Sequence, residues 1–222
     1  MMIQTTTLPG LPDLTPGSIY CIGRNYAAHT RELNNSIPDT PVIFTKPLAA
    51  LTFDGIIHIP PFVTKPHFET ELVVVIGKQG KNVPVEKALS YVAGYGLGID
   101  VTARDIQQRL KEKAHPWFLA KGMDSFAPVG TFIPAEQVSD PQNMTFTLDV
   151  NGERRQTGQT SLMLFPIPVI IATLSRYVTL YPGDLIFTGT PEGVDILNSG
   201  DRLKADLESG LATLTVSVNR ES

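Results

Sequence analysis

Cysteine is almost absent from this chain: Cys21 stands alone among 222 residues. One thiol forms no internal disulfide, so the fold must rest on a hydrophobic core, and a reducing compartment suits it. Charge is also sparse, at 18% of residues, and the net value is −4 with no basic run. That balance excludes the cationic stripe on which nucleic-acid binding depends. No apolar run approaches the roughly 18 residues that span a bilayer. The opening Met-Met-Ile-Gln-Thr-Thr-Thr-Leu-Pro-Gly lacks the basic start of a signal peptide and the arginines of a transit peptide. A cytoplasmic protein with no membrane or nucleic-acid partner is the expectation.

What is present is enough apolar material, 42% of residues, for a real core in one or at most two domains. Eighteen glycines and eighteen prolines punctuate short segments that read mostly as strands. Strands are predicted at 18–23, 42–45, 72–76 and 94–99, and again at 184–188, 201–207 and 211–218. Thr145 to Val150 and Glu153 to Thr157 flank Asn151-Gly152, a strong hairpin signal. Helical segments are few: 25–33, 102–113, and 168–177 with a proline in its first turn. No repeat, low-complexity linker or βαβ alternation occurs. The fold class is therefore α+β and β-rich, with a curled or sandwiched mixed sheet.

The segment Glu69-Thr-Glu71-Leu-Val-Val-Val-Ile-Gly is unusual within that pattern. As a strand it projects both carboxylates from one face, ahead of a run that is apolar on both sides. Acids at the mouth of a buried strand are costly unless a cation compensates them. Asp100 ends a second apolar run, Tyr95 to Ile99, and can supply a third oxygen. Three carboxylates without neighbouring sulfur or imidazole suit Mg²⁺ or Mn²⁺ better than Zn²⁺. The competing reading is a solvated strand edge plus a helix cap, since Thr102-Ala-Arg-Asp105 has the form of a capping box.

Two i, i+3 pairs accompany the acids. His29 and Glu32 would share one helical face, where a carboxylate orients an imidazole as a general base. Arg104 and Gln107 would present a guanidinium and an amide, which suit a carboxylate or a developing oxyanion. Lys121 adds a cation within the apolar, turn-like Phe118-Leu-Ala-Lys-Gly-Met-Asp. Each has a plain alternative: a surface pair for His29–Glu32, a bridge from Arg104 to Asp105 or Glu112, and a solvated Lys121.

Taken together, seven blocks in order resemble the fumarylacetoacetate hydrolase family. They begin with Gly23-Arg-Asn-Tyr-Ala-Ala-His29-Thr-Arg-Glu32, Phe44-Thr-Lys-Pro and the Glu69–Glu71 strand. Gly94 to Gln107, Leu119-Ala-Lys121-Gly-Met-Asp and Pro182-Gly-Asp-Leu-Ile-Phe-Thr-Gly-Thr190-Pro-Glu-Gly complete them, with Val150-Asn-Gly-Glu between. The blocks run from about Ile19 to the last strand. They are most similar to the small members: acylpyruvate hydrolases, oxaloacetate decarboxylases and tautomerases, and decarboxylase/isomerases of aromatic catabolism.

The resemblance implies a mixed β-sandwich roll, a homodimer, an N-terminal extension over 1–17 and a catalytic domain over 18–222. It implies that Glu69, Glu71 and Asp100 ligate Mg²⁺ or Mn²⁺ and that His29 and Glu32 activate water from a segment that acts as a lid. It implies that Arg104, Gln107 and Lys121 hold the substrate carboxylate and enolate, and that the Thr190 hydroxyl contacts substrate. Gly23, Arg24 and Asn25 are assigned to structure. Ile99 replaces an asparagine common before the metal aspartate. The implied activity is metal-dependent carbon–carbon hydrolysis of acylpyruvates through a pyruvate enolate, with a small 2-oxo acid as partner. Oxaloacetate decarboxylation or keto–enol tautomerisation, or decarboxylation and isomerisation of an unsaturated 2-oxo diacid, are the alternatives. A non-catalytic metal-binding scaffold is the reading from another class, and the retained His29, Glu32 and Lys121 argue against it. The region 31–39, with 112–117, is expected to shape the far end of the pocket, and core packing is the expected job of Trp117 or Phe118.

Overall fold

Seven consecutive buried residues, Thr70–Ile76, form the central strand of the larger sheet. Only a strand covered on both faces can be apolar on both, and the rest of the architecture supplies the two covers. The computed structural model describes residues 6–33 and 35–221. The first five residues of the expected extension, Asn34 of the expected lid, and Ser222 lie outside the described residues.

The first strands are β1 (Ile19–Gly23), β2 (Val42–Lys46), β3 (Leu51–Thr52), β4 (Ile56–Ile59) and β5 (Pro66–Phe68). The middle of the chain holds β6 (Thr70–Ile76), β7 (Val92–Ile99), β8 (Thr102–Ala103), β9 (Ala127–Pro128) and β10 (Ile133–Pro134). Then come β11 (Thr145–Val150), β12 (Glu153–Gln159), β13 (Leu185–Phe187), β14 (Asp195–Ile196), β15 (Arg202–Leu207) and β16 (Ala212–Arg220). Among the described residues four α-helices intervene: α1 (Ala27–Glu32), α2 (Arg104–Glu112), α3 (Phe118–Lys121) and α4 (Ile167–Tyr177).

Six strands make one sheet in the order β10-β7-β6-β13-β1-β2, and five make another in the order β12-β11-β15-β16-β4. Both are mixed: β1 runs parallel to β13, and β16 parallel to β4. The sheets face each other, with β15 and β16 packed on β7 and β11 packed on β6. This is the β-rich α+β sandwich expected from the sequence. A three-stranded β14-β5-β8 ribbon closes one end and carries α2.

Local chemistry explains the elements. Asn151 (φ 54°) and Gly152 (φ 85°) form the two-residue turn of the β11–β12 hairpin, as their left-handed preferences dictate. Gly96 and Gly98 of β7 make room for the Phe132 and Phe187 rings, each of which would stand 2.6 Å from an added Cβ. The expected capping box is not formed. Thr102 belongs to β8, its hydroxyl donates to the Asp100 carbonyl, and Ala103 caps α2 without a side-chain bond. Asp105 instead accepts from the Thr64 amide and hydroxyl, which ties α2 to the β4–β5 connection.

Candidate active site

The acids converge from β6, the break before it and the residue that follows β7. Glu69 occupies the one-residue gap between β5 and β6 and Glu71 lies on β6. Asp100 follows β7, where its amide donates to the Glu69 carbonyl. Because β6 and β7 pair antiparallel, Thr70 opposite Ile99, the end of β7 lies beside the start of β6. Ligand oxygens of the three carboxylates lie within 4.8 Å of one another, and all three residues are buried. The solvated-edge reading is therefore excluded, as is a helix-cap role for Asp100.

Three buried or half-buried cations surround the acids, but they are shared unequally. Lys121 lies 2.8 Å from Glu69 Oε2 and 2.5 Å from Asp100 Oδ2. Arg104 is bonded to Glu69 Oε1. Lys46 Nζ stands 2.8 Å from Asp100 Oδ1. Its three hydrogens, however, serve the carbonyls of Val101, Lys121 and Phe126, so Oδ1 receives no hydrogen bond. Glu71 has no cation partner among the described residues and accepts only the Gly189 amide, at 2.7 Å. That amide sits in a left-handed turn (φ 102°) where a Cβ would meet the Asn25 Cβ at 2.6 Å, so only glycine serves.

Titration follows the same asymmetry. Burial raises the Glu69 carboxyl, but Lys121 and Arg104 outweigh it and hold the group well below the usual carboxylate range. Burial, Asp100 and Glu69 all push Glu71 well above that range. Burial opposes the Lys121 charge, and Asp100 and Glu69 restore it, so the ammonium titrates above an ordinary lysine. An acid without a partner and an orphaned carboxylate oxygen, both facing a cluster of oxygens, fit a hard divalent cation.

Of the remaining predicted residues, His29, Arg104, Gln107, Lys121 and Thr190 line the same cavity of about 110 Å³, whereas Glu32 reaches it only through His29. His29 is buried on α1, with Nδ1 3.2 Å from Glu32 Oε2. Glu32 is itself held by the Gly193 amide, 3.0 Å from Oε1. Arg104 Nη1 donates to Gln107 Oε1 at 2.6 Å, and the buried Arg104 Nε has no acceptor among the described residues. An unpaired guanidinium N–H is a donor ready for an anion. The Thr190 hydroxyl donates to the Thr70 carbonyl and accepts from Gln156, so its proton is committed to the scaffold. The turn-like segment before Gly122 is helix α3, with Lys121 at its last position and its ammonium 4.9 Å from the Phe44 ring centroid.

Residues 18–219 match the family model described as "Fumarylacetoacetate (FAA) hydrolase C-terminal". The chain belongs to the fumarylacetoacetate hydrolase family. Among its relatives in that family, the mitochondrial oxaloacetate tautomerase of Homo sapiens is 44% identical over 204 residues, 91% of this chain and 92% of that one. Fumarylpyruvate hydrolase from Pseudomonas aeruginosa, solved with Mn²⁺ and pyruvate, superposes with a TM-score of 0.89 at 37% identity, covering 97% of this chain and 95% of that one. The 5-carboxymethyl-2-hydroxymuconate delta-isomerase of Mycobacterium smegmatis superposes with a TM-score of 0.85 at 38% identity, covering 97% and 83%. Hydrolase, tautomerase and isomerase thus share the family fold that this chain adopts.

Within that family frame, sequence reasoning missed three residues of the site. Lys46 was embedded in Phe44-Thr-Lys-Pro with no spacing signal, and only the fold brings it to Asp100. Arg24, assigned to structure, lines the cavity, as does Lys111 from α2. Asn25, by contrast, is structural: it bonds the carbonyls of Phe165 and Thr188 and the Phe165 amide. Trp117 lines the cavity, edge-on to Phe44 at 5.6 Å, instead of joining the core, and Phe118 is 54% exposed.

Proposed function

We propose that this protein is a divalent-metal-dependent enzyme of 2-oxo acid enolates. In this reading Glu69, Glu71 and Asp100 hold Mg²⁺ or Mn²⁺. The observation that carries the reading is a buried acid cluster in which Glu71 has no cation partner among the described residues, beside an ammonium and an oriented imidazole. The cation, when bound, supplies Lewis-acid polarisation and charge stabilisation at the 2-oxo acid.

The side chains account for the rest. Arg104 through its free Nε, with the Gln107 amide, binds the substrate carboxylate. Lys121 remains an ammonium and donates a hydrogen bond to the oxygen on which enolate charge grows. In tautomerisation of oxaloacetate, His29 removes a proton from C3 and the 2-oxo oxygen gains one, so atoms balance without water. Glu32 fixes the imidazole so that the basic nitrogen faces the cavity. The relation to oxaloacetate tautomerases at 44% identity supports this reading.

The hydrolase reading is supported by the same dyad and by the structural likeness to fumarylpyruvate hydrolase. There His29 takes a proton from water, and the hydroxide adds to the distal carbonyl of an acylpyruvate. The carbon–carbon bond then breaks with its electron pair on the pyruvate enolate, which takes up the proton. A homodimer belongs to the same proposal and is read directly by sedimentation velocity.

The deciding experiment is a proton NMR time course of oxaloacetate and acetylpyruvate with Mg²⁺-loaded and EDTA-treated protein. Metal-dependent keto–enol exchange of oxaloacetate supports the tautomerase, acetate plus pyruvate the hydrolase, and carbon dioxide loss the decarboxylase. No change in either substrate would overturn the proposal for both. Replacing the base, His29→Ala, should lower turnover by about 10²- to 10⁴-fold while calorimetric Mg²⁺ affinity holds.

A further inference from the structure

The cavity has two ends of opposite character. All three acids that line it belong to the buried cluster, whereas the half-buried Arg24 and the exposed Lys111 line it nearer solvent. Neither of these cations has a carboxylate within ion-pair distance among the described residues. Lys111 reaches only the neutral Asn35 Oδ1, at 3.3 Å. The two are close enough that Arg24, after burial and ahead of Arg104, lowers the lysine pKa. Like charges gathered without an acid between them raise the energy of the empty site and are relieved by an anion.

Backbone geometry marks the same place. Arg24 holds φ at 58°, a conformation suited to glycine or asparagine, in the turn between β1 and α1. On α2, Arg104, Gln107 or Gln108, and Lys111 fall on one face at i, i+3 or i+4, and i+7. Arg104 and Lys111 are thus two turns apart, about 10 Å along the axis, with the cavity beside both. The stripe places one guanidinium at the acid cluster and one ammonium at the opposite end.

We infer that Arg24 and Lys111 form a second anion seat, which selects 2-oxo acids carrying a further carboxylate at the end remote from the 2-oxo group. This rests on the 2-oxo acid reading above and narrows its substrate class to dicarboxylates. The planar fork of Arg24 suits a carboxylate, and Lys111 adds a mobile point charge from the helix. General attraction of anions to a positive rim would act on monocarboxylates as well, and this separates it from a seat.

The test uses two ligands of equal length, 2-oxoglutarate and 2-oxopentanoate, which differ only in the distal carboxylate. Binding to the Mg²⁺-loaded protein is measured by calorimetry and by fluorescence of Trp117, the sole tryptophan, which lines the cavity. The dicarboxylate should bind about tenfold tighter, as charge-assisted contacts supply. Arg24→Asn keeps the left-handed turn, and Lys111→Gln alters an exposed helix position. Each should reduce the preference to about twofold and leave 2-oxopentanoate binding unchanged. Equal affinities in the wild type, or a preference that survives both substitutions, would overturn the seat while the 2-oxo acid reading stands. Failure of both ligands to bind would remove the seat together with that reading.

Discussion

Strands β6 and β16 show how differently the two sheets use their sequence. Every residue of β6 is buried, while β16 alternates buried and exposed positions along Ala212–Val218. The five-stranded sheet therefore has one dry face and one wet face, and its outward threonines are screened by solvent. The six-stranded sheet is dry on both faces at its centre, so a charge at the end of β6 or β7 is not screened. Such charges persist only with partners, and the buried Lys46 and Lys121 provide them for Asp100. Glu71 remains the acid without one. Chemistry has been placed where the sheet is driest, and the wet sheet serves as its support.

Substitutions in the two strands can break or sharpen that contrast. The largest effect is expected for Glu71→Ala, which should abolish divalent-metal binding, and an unchanged calorimetric Mg²⁺ isotherm would remove Glu71 from the metal set. Next comes Leu72→Ala in the same strand. Its side chain is fully buried, so chemical denaturation should report a loss of about 2–5 kcal/mol. The smallest effect belongs to the wet face. Thr213→Ala on β16 should alter stability by no more than about 0.5 kcal/mol in the same assay. A Thr213 penalty matching that of Leu72 would mean that this outer face is covered in solution, and the contrast would fail.

Much of this was legible along the chain because its signals are local. The apolar runs of β6 and β7, the Asn151-Gly152 turn and the proline-started α4 each depend on residues within a few positions of one another. The same holds for the His29–Glu32 pair. Two-residue strands such as β3 and β9 carry no pattern of their own, and they exist because Leu51 and Thr52 meet Ala127 and Pro128. The capping-box motif misled for a related reason. Asp105 found a better donor pair in Thr64, 41 positions away, and the helix started without a side-chain cap. Trp117 looked like core because aromatic content signals burial, whereas the fold uses it as a pocket wall beside Phe44.

The sequence by itself determined the family, the β-rich architecture and the identity of the three acids, since these are written in ordered blocks and strand periodicity. Which acid lacks a counter-charge was decided only by the tertiary structure. So were the arrival of Lys46 at Asp100, 54 positions on, and the convergence of Arg24 and Lys111 on one cavity. The physical reason is that electrostatics in a dry interior depends on distances of a few ångström, and residues far apart in the chain acquire those distances only when the sheets close.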